Sequence, residues 1–495
     1  MAGARTVLSN VNITAGKMSP YGDYSAWMGA SRCPNGDLLY MAAIGADEST
    51  ATDGVTNITA WFRSQDQGAT WSRQNNQFGV GCGINKNGLE EAWLGYFTDV
   101  NGTFMLATAN ANVGFSFSNP APHWYQQNWS SVSTDNGHTW DPATLVYFYH
   151  ADGSLWKIVG RDGQDGTADE DLEMTGGWIQ LPDGSLICPL GVVPTSGFDG
   201  IARNSGYTVV ARSTDRGKTW REYGSAPWPA QSGWMYLEGS FIRLPSGRIA
   251  SVVRVKENPL NGYLDYTSWV CYSDDNAQSW YGHRRLWRAV ASRDMSVIGP
   301  EGDWVVGIRS VTPAEASGPT VWMQSWDEGA TWTSPVQVPA GAGISAYGQG
   351  VNVLDTPGVD GNIAIMYQEE GYGGSGWSGQ GSDAYFLKFT KPAGWVPTTP
   401  LVLASGNSVW SQSGTSVTLN HAPSGVRSTV AATVYSTQGG LVRFLGADAS
   451  RFSVSADGTT WSDRLQIASG SRTIYLGVTP QAGDAALAAT VGIPA

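Results

Sequence analysis

Aromatic side chains set among amides and hydroxyls offer the most conspicuous chemistry in this chain. The run Phe115-Ser-Phe-Ser-Asn-Pro-Ala-Pro-His-Trp124-Tyr125-Gln-Gln-Asn-Trp129 mixes both. So do the stretch holding Trp228, Trp234 and Tyr236 and the run Gly371-Tyr372-Gly-Gly-Ser-Gly-Trp377. Ring faces stack on the C–H faces of sugars while neighbouring amides bond the hydroxyls, so Trp124, Trp234 and Tyr236 are candidate glycan-binding residues. The same rings pack cores, and about two-thirds of the 23 Trp are assigned to packing. The acidic run Ala168-Asp-Glu170-Asp-Leu-Glu173-Met reads equally as a solvated loop or a cation site. Metal chemistry otherwise finds little. Cys33, Cys82, Cys188 and Cys271 form no CxxC pair, and the five His stand without an HExxH pattern. No metal or cofactor is expected, and the cysteines are expected to be free, buried thiols.

The elements that must position these residues are written in a repeat. Ser-x-Asp-x-Gly-x-Thr-Trp occurs as Ser64-Gln-Asp66-Gln-Gly68-Ala-Thr70-Trp71, Ser133-Thr-Asp135-Asn-Gly137-His-Thr139-Trp140 and Ser213-Thr-Asp215-Arg-Gly217-Lys-Thr219-Trp220. It returns as Ser325-Trp-Asp327-Glu-Gly329-Ala-Thr331-Trp332, with a degraded copy, Ser273-Asp-Asp275-Asn-Ala277-Gln-Ser279-Trp280. Ser and Asp side chains bond nearby backbone amides and Gly supplies positive φ, so each copy predicts a tight hairpin whose Trp folds back between sheets. A carboxylate repeated five times is structural, because five copies cannot share one site. Upstream of the boxes lies a second repeat, an apolar strand, a Pro- or Asp-containing turn ending in Gly, and another strand, as around Gly36, Gly184 and Gly247. A further copy, ending at Gly361, has no box after it. Each unit reads as a four-stranded antiparallel blade. The expected fold is all-β: a six-bladed β-propeller over residues 1–391. Its last blade is completed by the N-terminal Arg5-Thr-Val-Leu-Ser-Asn-Val-Asn-Ile strand, which removes an open edge. Residues 392–400, rich in Pro and Thr, read as a stiff linker, and residues 401–495 as a small Ig-like β-sandwich. Ser455-Ala-Asp457-Gly-Thr-Thr-Trp461, one residue short of the box, is expected to be a hairpin of that sandwich.

Composition excludes other classes. Only 14% of residues are charged while 41% are hydrophobic, which excludes a disordered chain. A net charge of −13 argues against nucleic-acid binding. No long apolar run predicts membrane insertion, and the N-terminus lacks the apolar core of a signal peptide. A cytoplasmic location, or a virion-associated one reached by lysis, is expected on that basis.

The five boxes and the blade pattern resemble the sialidase (neuraminidase) superfamily, whose members carry Asp-box (BNR) repeats. The resemblance covers roughly residues 1–391 and implies fold more than activity. Sialidases use a Tyr nucleophile activated by a Glu, since a neutral nucleophile avoids repulsion by the substrate carboxylate. The family's Glu opens the first strand of the fourth blade, with an Arg following. Glu238 and Arg254 match, in Leu237-Glu238-Gly through Val253-Arg254. The resemblance further implies Tyr347 in Ser345-Ala-Tyr347-Gly as nucleophile, upstream of Tyr367-Gln-Glu369. Asp53, in the loop before the first box, matches the acid/base, with Asp47 as the fallback and an Asp-Gly turn as an equal reading of Asp53. The match departs at the arginines that grip sialic acid. Ala26 stands where the first is expected, and Ala316-Ser-Gly318-Pro-Thr where the third is. Arg254 remains, with Arg32, Arg293 or Arg309 as substitutes, so a neutral or differently charged glycan fits better. Related arabinan-cleaving propellers use a carboxylate pair, which here joins Glu238 to Glu173 or Glu170. The expected function is an exo-acting glycoside hydrolase on a surface or polymeric glycan. The alternative is a non-catalytic glycan- or receptor-binding protein of a phage tail or surface, with other virion proteins or copies of itself as partners.

Overall fold

The computed structural model describes residues 5–14, 24–45, 58–74, 89–113, 125–156, 170–174, 177–194, 205–231, 234–257, 266–287, 296–299, 302–309, 320–337, 344–352, 363–370 and 382–390. Beyond these it describes 402–403, 410–413, 416–419, 427–436, 440–445, 451–462, 464–467, 470–480 and 487–492. The protein is all-β, with no α-helix among the described residues. No helix there is long and apolar enough to cross a membrane.

Successive strands pair with their sequence neighbours, as tight turns demand. The first sheet takes Tyr24–Arg32, Leu38–Gly45, Ile58–Ser64 and Ser72–Gln74 in that order. The second takes Leu89–Asp99, Gly102–Val113, Tyr125–Ser133 and Thr144–Leu145. The third runs from Glu170–Met174 and Ile179–Gln180 through Leu186–Pro194 and Ser205–Ser213 to Thr219–Glu222, with Tyr147–Tyr149 added as an outer parallel strand. The fourth comprises Trp234–Arg243, Ile249–Glu257, Tyr266–Ser273 and Tyr281–Trp287, bridged to the third by Ser205 and Gly206 against Trp234 and Met235. Ser296–Ile298, Trp304–Arg309, Thr320–Ser325 and Val336–Gln337 make the fifth. The sixth takes Ile344–Asn352, Ile363–Glu370 and Ser382–Phe389, and the N-terminal Val7–Asn12 pairs antiparallel on its outer side.

Strand alternation explains the packing. Leu38 and Tyr40 face Met366 and Phe386 of the sixth sheet, while Leu39 and Met41 face Met105 and Ala107 of the second. Burial on both faces is why the run Leu38-Leu39-Tyr40-Met41 is apolar throughout. Shared clusters join the second sheet to the third, the third to the fourth, the fourth to the fifth and the fifth to the sixth, and the sixth returns to the first. After residue 401 two further sheets follow. Val402–Leu403, Ser428–Ser436, Gly470–Val478 and Phe452–Ser455 form one; Trp410–Ser413, Ser416–Leu419, Leu487–Gly492, Gly440–Leu445 and Arg464–Ile467 form the other. They share a single core containing Trp410, Val434, Val442 and Leu476.

The boxes have the chemistry their sequence implies. In the first, Thr70 donates from its amide and its hydroxyl to Asp66, at 2.8 and 2.5 Å. Ser64 Oγ accepts from the Gly68 amide at 2.8 Å, and Trp71 Nε1 donates to the Gly68 carbonyl at 3.2 Å. The other four boxes repeat the Ser–Asp and amide bonds. The shorter copy at Ser455 and Asp457 uses the same bonds, and Val454 bridges Ser462. Cys33, Cys188 and Cys271 are free and buried, and burial pushes each thiol upward, Cys33 to about 12. Cys82 lies outside the described residues.

Candidate active site

Glu238 stands apart from every other residue of the described backbone. Seven non-glycine residues have positive φ; six lie in the boxes, and the seventh is Glu238, at φ 54°. A non-glycine residue held there costs on the order of 1–3 kcal/mol and persists only where its surroundings fix it. Those surroundings are visible. Leu237 pairs with Arg254 and Ser240 with Val252, so the strand carries one extra residue, a β-bulge, at Glu238-Gly239. A side chain at Gly239 would come within 3.1 Å of Pro189 in the third sheet, so the glycine lets the two sheets approach closely at the bulge.

The bulge delivers the Glu238 carboxylate to Arg254 on the adjacent strand. Arg254 Nη1 lies 2.8 Å from Oε1 and 2.9 Å from Oε2. Glu238 is 8% exposed and Arg254 half-buried, so a charge-assisted bond holds the carboxylate largely out of water. Both lie toward the end of the fourth sheet marked by the Trp234–Glu257 pairing. The Arg243–Ile249 turn and the box beginning at Ser273 occupy the opposite end. Asp275, the carboxylate of that sheet's box, therefore lies at the end away from Glu238.

The same bulge recurs in the first strands of other sheets. Ser345 pairs with Glu369 and Gly348 with Tyr367, which puts Tyr347 inside a one-residue bulge of Ile344–Asn352. Ala26 and Gly29 flank another in Tyr24–Arg32, and Leu89 and Glu91 a third in Leu89–Asp99. First strands of neighbouring sheets lie against each other: Tyr24–Arg32 touches both Leu89–Asp99 and Ile344–Asn352, and Ser296–Ile298 touches Ile344–Asn352 and Trp234–Arg243. Bulges re-aim side chains, and four of the first strands carry one.

Of the residues singled out in the sequence, Glu238 and Arg254 are brought together. Tyr347 is placed only to its strand. Glu173 sits on Glu170–Met174, opposite Gly191. Asp53, Trp124 and Arg293 lie outside the described residues, as does Asp47. Trp234 is half-buried and stacks 6.1 Å from Tyr236, which stacks 5.4 Å from Trp228 on its other side. Trp228 and Tyr236 are 2% and 6% exposed, so these two rings, read in the sequence as glycan platforms, are core packing. Trp269, not singled out in the sequence, meets both Trp228 and Trp234 edge to face. Its signal was its register opposite Val253, which only the pairing of strands reveals. Among the described residues no group of His, Cys, Asp and Glu is arranged to hold a metal ion.

No protein-family model matches the chain, and no curated protein matches it by sequence. Solved structures do match by fold. A protein of unknown function from Dyadobacter fermentans superposes with a TM-score of 0.57 at 13% identity, covering 78% of this chain and 99% of that one. The α-L-arabinanase of Penicillium chrysogenum, solved with arabinobiose, superposes with a TM-score of 0.50 at 16% identity, covering 77% of this chain and 98% of that one. The intramolecular trans-sialidase of Ruminococcus gnavus gives a TM-score of 0.49 at 12% identity, over 78% and 98%. The chain thus shares the fold of proteins that include propeller glycosidases.

Proposed function

We propose that residues 1–391 form a six-bladed β-propeller of the sialidase type, joined through residues 392–400 to a β-sandwich of residues 401–495, and that the propeller is a glycoside hydrolase centred on Glu238. The packing that passes from sheet to sheet and returns from the sixth to the first supports the blade count. The 78% coverage by the Dyadobacter protein is close to the share of the chain before residue 392 and supports the division.

One observation carries the function: a buried carboxylate, strained at φ 54° in a bulge and ion-paired with Arg254. Strain of this kind gathers at active sites, where it fixes a reacting group in advance of substrate. In the proposed reaction Arg254 holds the Glu238 carboxylate in position. Glu238 accepts the proton of the Tyr347 hydroxyl as that oxygen attacks the anomeric carbon. Asp53 gives its proton to the departing glycosidic oxygen. Water, losing a proton to Asp53, then attacks the anomeric carbon, and the departing Tyr347 oxygen takes its proton back from Glu238. Trp234 and Trp124 are the sugar-facing rings, and Arg293 a further substrate contact. Ala26 stands at the bulge of the first sheet where a carboxylate-gripping arginine would be, which favours a neutral glycan. Arabinan, the class of polymer named for the Penicillium enzyme, is the first choice. On arabinan the pair of Glu238 with Glu173 or Glu170 takes the place of the Tyr347 and Asp53 scheme. No observation favours a virion component.

The test is release of reducing sugar from arabinan, sialylated and bacterial-surface glycans. Glu238→Gln keeps the shape and removes the base, so release is expected to fall by roughly 10²–10⁴-fold. Equal release by wild type and variant would refute the assignment of Glu238. Binding of a glycan by both proteins without release by either would leave a lectin-like role.

A further inference from the structure

The third sheet differs from its neighbours in having an extra strand. After its box the chain of the second unit passes Thr144–Leu145 and adds Tyr147–Tyr149, parallel, to the outer edge of the next sheet. This addition builds a cleft of about 630 Å³ lined by Tyr149, Arg212, Thr214, Arg221, Glu222 and Tyr223.

Register explains its composition. Tyr149 pairs with Arg221, and Arg221 with Arg212, so three long side chains stand in one row across three strands. Tyr147 and Tyr223, two residues from Tyr149 and Arg221 along their strands, face the same way. Phe148 and Trp220, which alternate with them, are buried against the second sheet. Sheet polarity thus puts the apolar rings inside and turns the tyrosines and guanidiniums to the cleft.

The charges in the cleft are balanced. Arg212 is held by Asp183 at 2.5 Å and Ser185 at 2.9 Å, and stacks on Tyr223 at 4.9 Å. Glu222 lies 4.0 Å from His150, whose ring stacks on Trp156. Asp152 bonds Ser154 in the adjoining turn. Arg221 is exposed and makes no hydrogen bond or salt bridge among the described residues. Tyr147, 40% exposed, and Leu155, 37% exposed, are among the few large apolar side chains left in water, and both border this edge.

We propose that this cleft is a second glycan-binding site, away from Glu238, which holds a neutral polysaccharide chain. Tyr149 and Tyr147 stack on successive sugar faces, and Arg221 donates to the sugar hydroxyls. Arg212 is paired with Asp183 and Arg221 lies near the Asp152 carboxylate, which leaves no net positive charge for an acidic polymer. The inference rests on the glycan-acting reading of the protein, but its readout is separate.

The test is retardation of the full chain in native gels containing soluble arabinan, galactan, xylan or polygalacturonate. Wild type is compared with Arg221→Ala and with Tyr149→Ala. Arg221 is exposed, so its replacement leaves the fold intact, which thermal melting verifies. Wild type retarded by a neutral polymer, with about tenfold weaker retention in each variant, is the expected result and corresponds to one lost charge-assisted bond or stacked ring. Unchanged retention in the Arg221 variant, no retardation by any neutral polymer, or retardation by polygalacturonate alone overturns the proposal. The hydrolase reading is scored by sugar release, so either can fail without the other.

Discussion

At the scale of single residues, two kinds of carboxylate divide the work. Box carboxylates are locked into local bonds, while the Glu238 carboxylate is presented by a bulge to Arg254. The box carboxylates carry a testable pH signature. Burial works against the charge of Asp135, but bonds from Thr139, Ser133 and His138 outweigh it and hold the carboxyl at about 2, against an ordinary 3.8. Asp66 and Asp275 are lowered in the same direction by the same kind of bonds, again against burial. A depressed folded-state value stabilises the fold fully above the unfolded value and loses that contribution as pH falls through the folded one. Thermal midpoints are therefore expected to hold down to about pH 4 and to fall steeply from there toward pH 2. Asp135→Asn should flatten part of that fall, as a pH series of melts would show.

At the scale of the element, the box is an adhesive between sheets as well as a turn. Each box glycine, or its substitute, meets the preceding sheet: Gly137 sits on Leu39, Gly217 on Leu106, Gly329 on Tyr272 and Gly68 on Phe386. Polar bonds reinforce the contact, with Arg216 on Asp99 and Glu328 on Ser246. At Gly68 an added methyl would stand 2.0 Å from Phe386 with φ at +87°. Gly68→Ala is expected to cost about 2–4 kcal/mol in denaturant unfolding, from overpacking plus left-handed strain. The fourth box already holds Ala277 at φ 69°, buried against the third and fourth sheets. Ala277→Gly is expected to change stability by less than about 1 kcal/mol, since relief of strain offsets the lost methyl and the added chain entropy.

At the scale of the whole molecule, the N-terminal segment ties distant parts together. Val7–Asn12 covers the edge of Ser382–Phe389, and Arg5 forms a fully buried pair with Asp303 of the fifth sheet at 2.5 and 2.6 Å. Gln324 bonds both partners. Arg5→Met strands a buried carboxylate and is expected to cost about 3–5 kcal/mol in denaturant unfolding, whereas Arg5→Met with Asp303→Leu should recover much of that loss. The Ser-x-Asp-x-Gly-x-Thr-Trp boxes and the Gly36, Gly184 and Gly247 turns were legible in the sequence, because their bonds are made within a few residues. So was the all-β class, and so was the pairing of the N-terminal strand, read from its likeness to the strand after a box. The Arg5–Asp303 pair carried no signal, since 298 residues separate its members. Glu238 and Arg254 were named in the sequence only through a resemblance, and the bulge that strains one onto the other belongs to strand register. Trp228 and Tyr236 looked like sugar platforms, and burial made them core. The Tyr149–Arg221–Arg212 row went unread because its members come from three strands. Local hydrogen bonding and side-chain alternation are written in consecutive residues, so the sequence by itself determined the hairpins, the strands and the class of fold. Which faces are covered, and which charges meet, depends on contacts between strands far apart in the chain, and only the tertiary structure decided those.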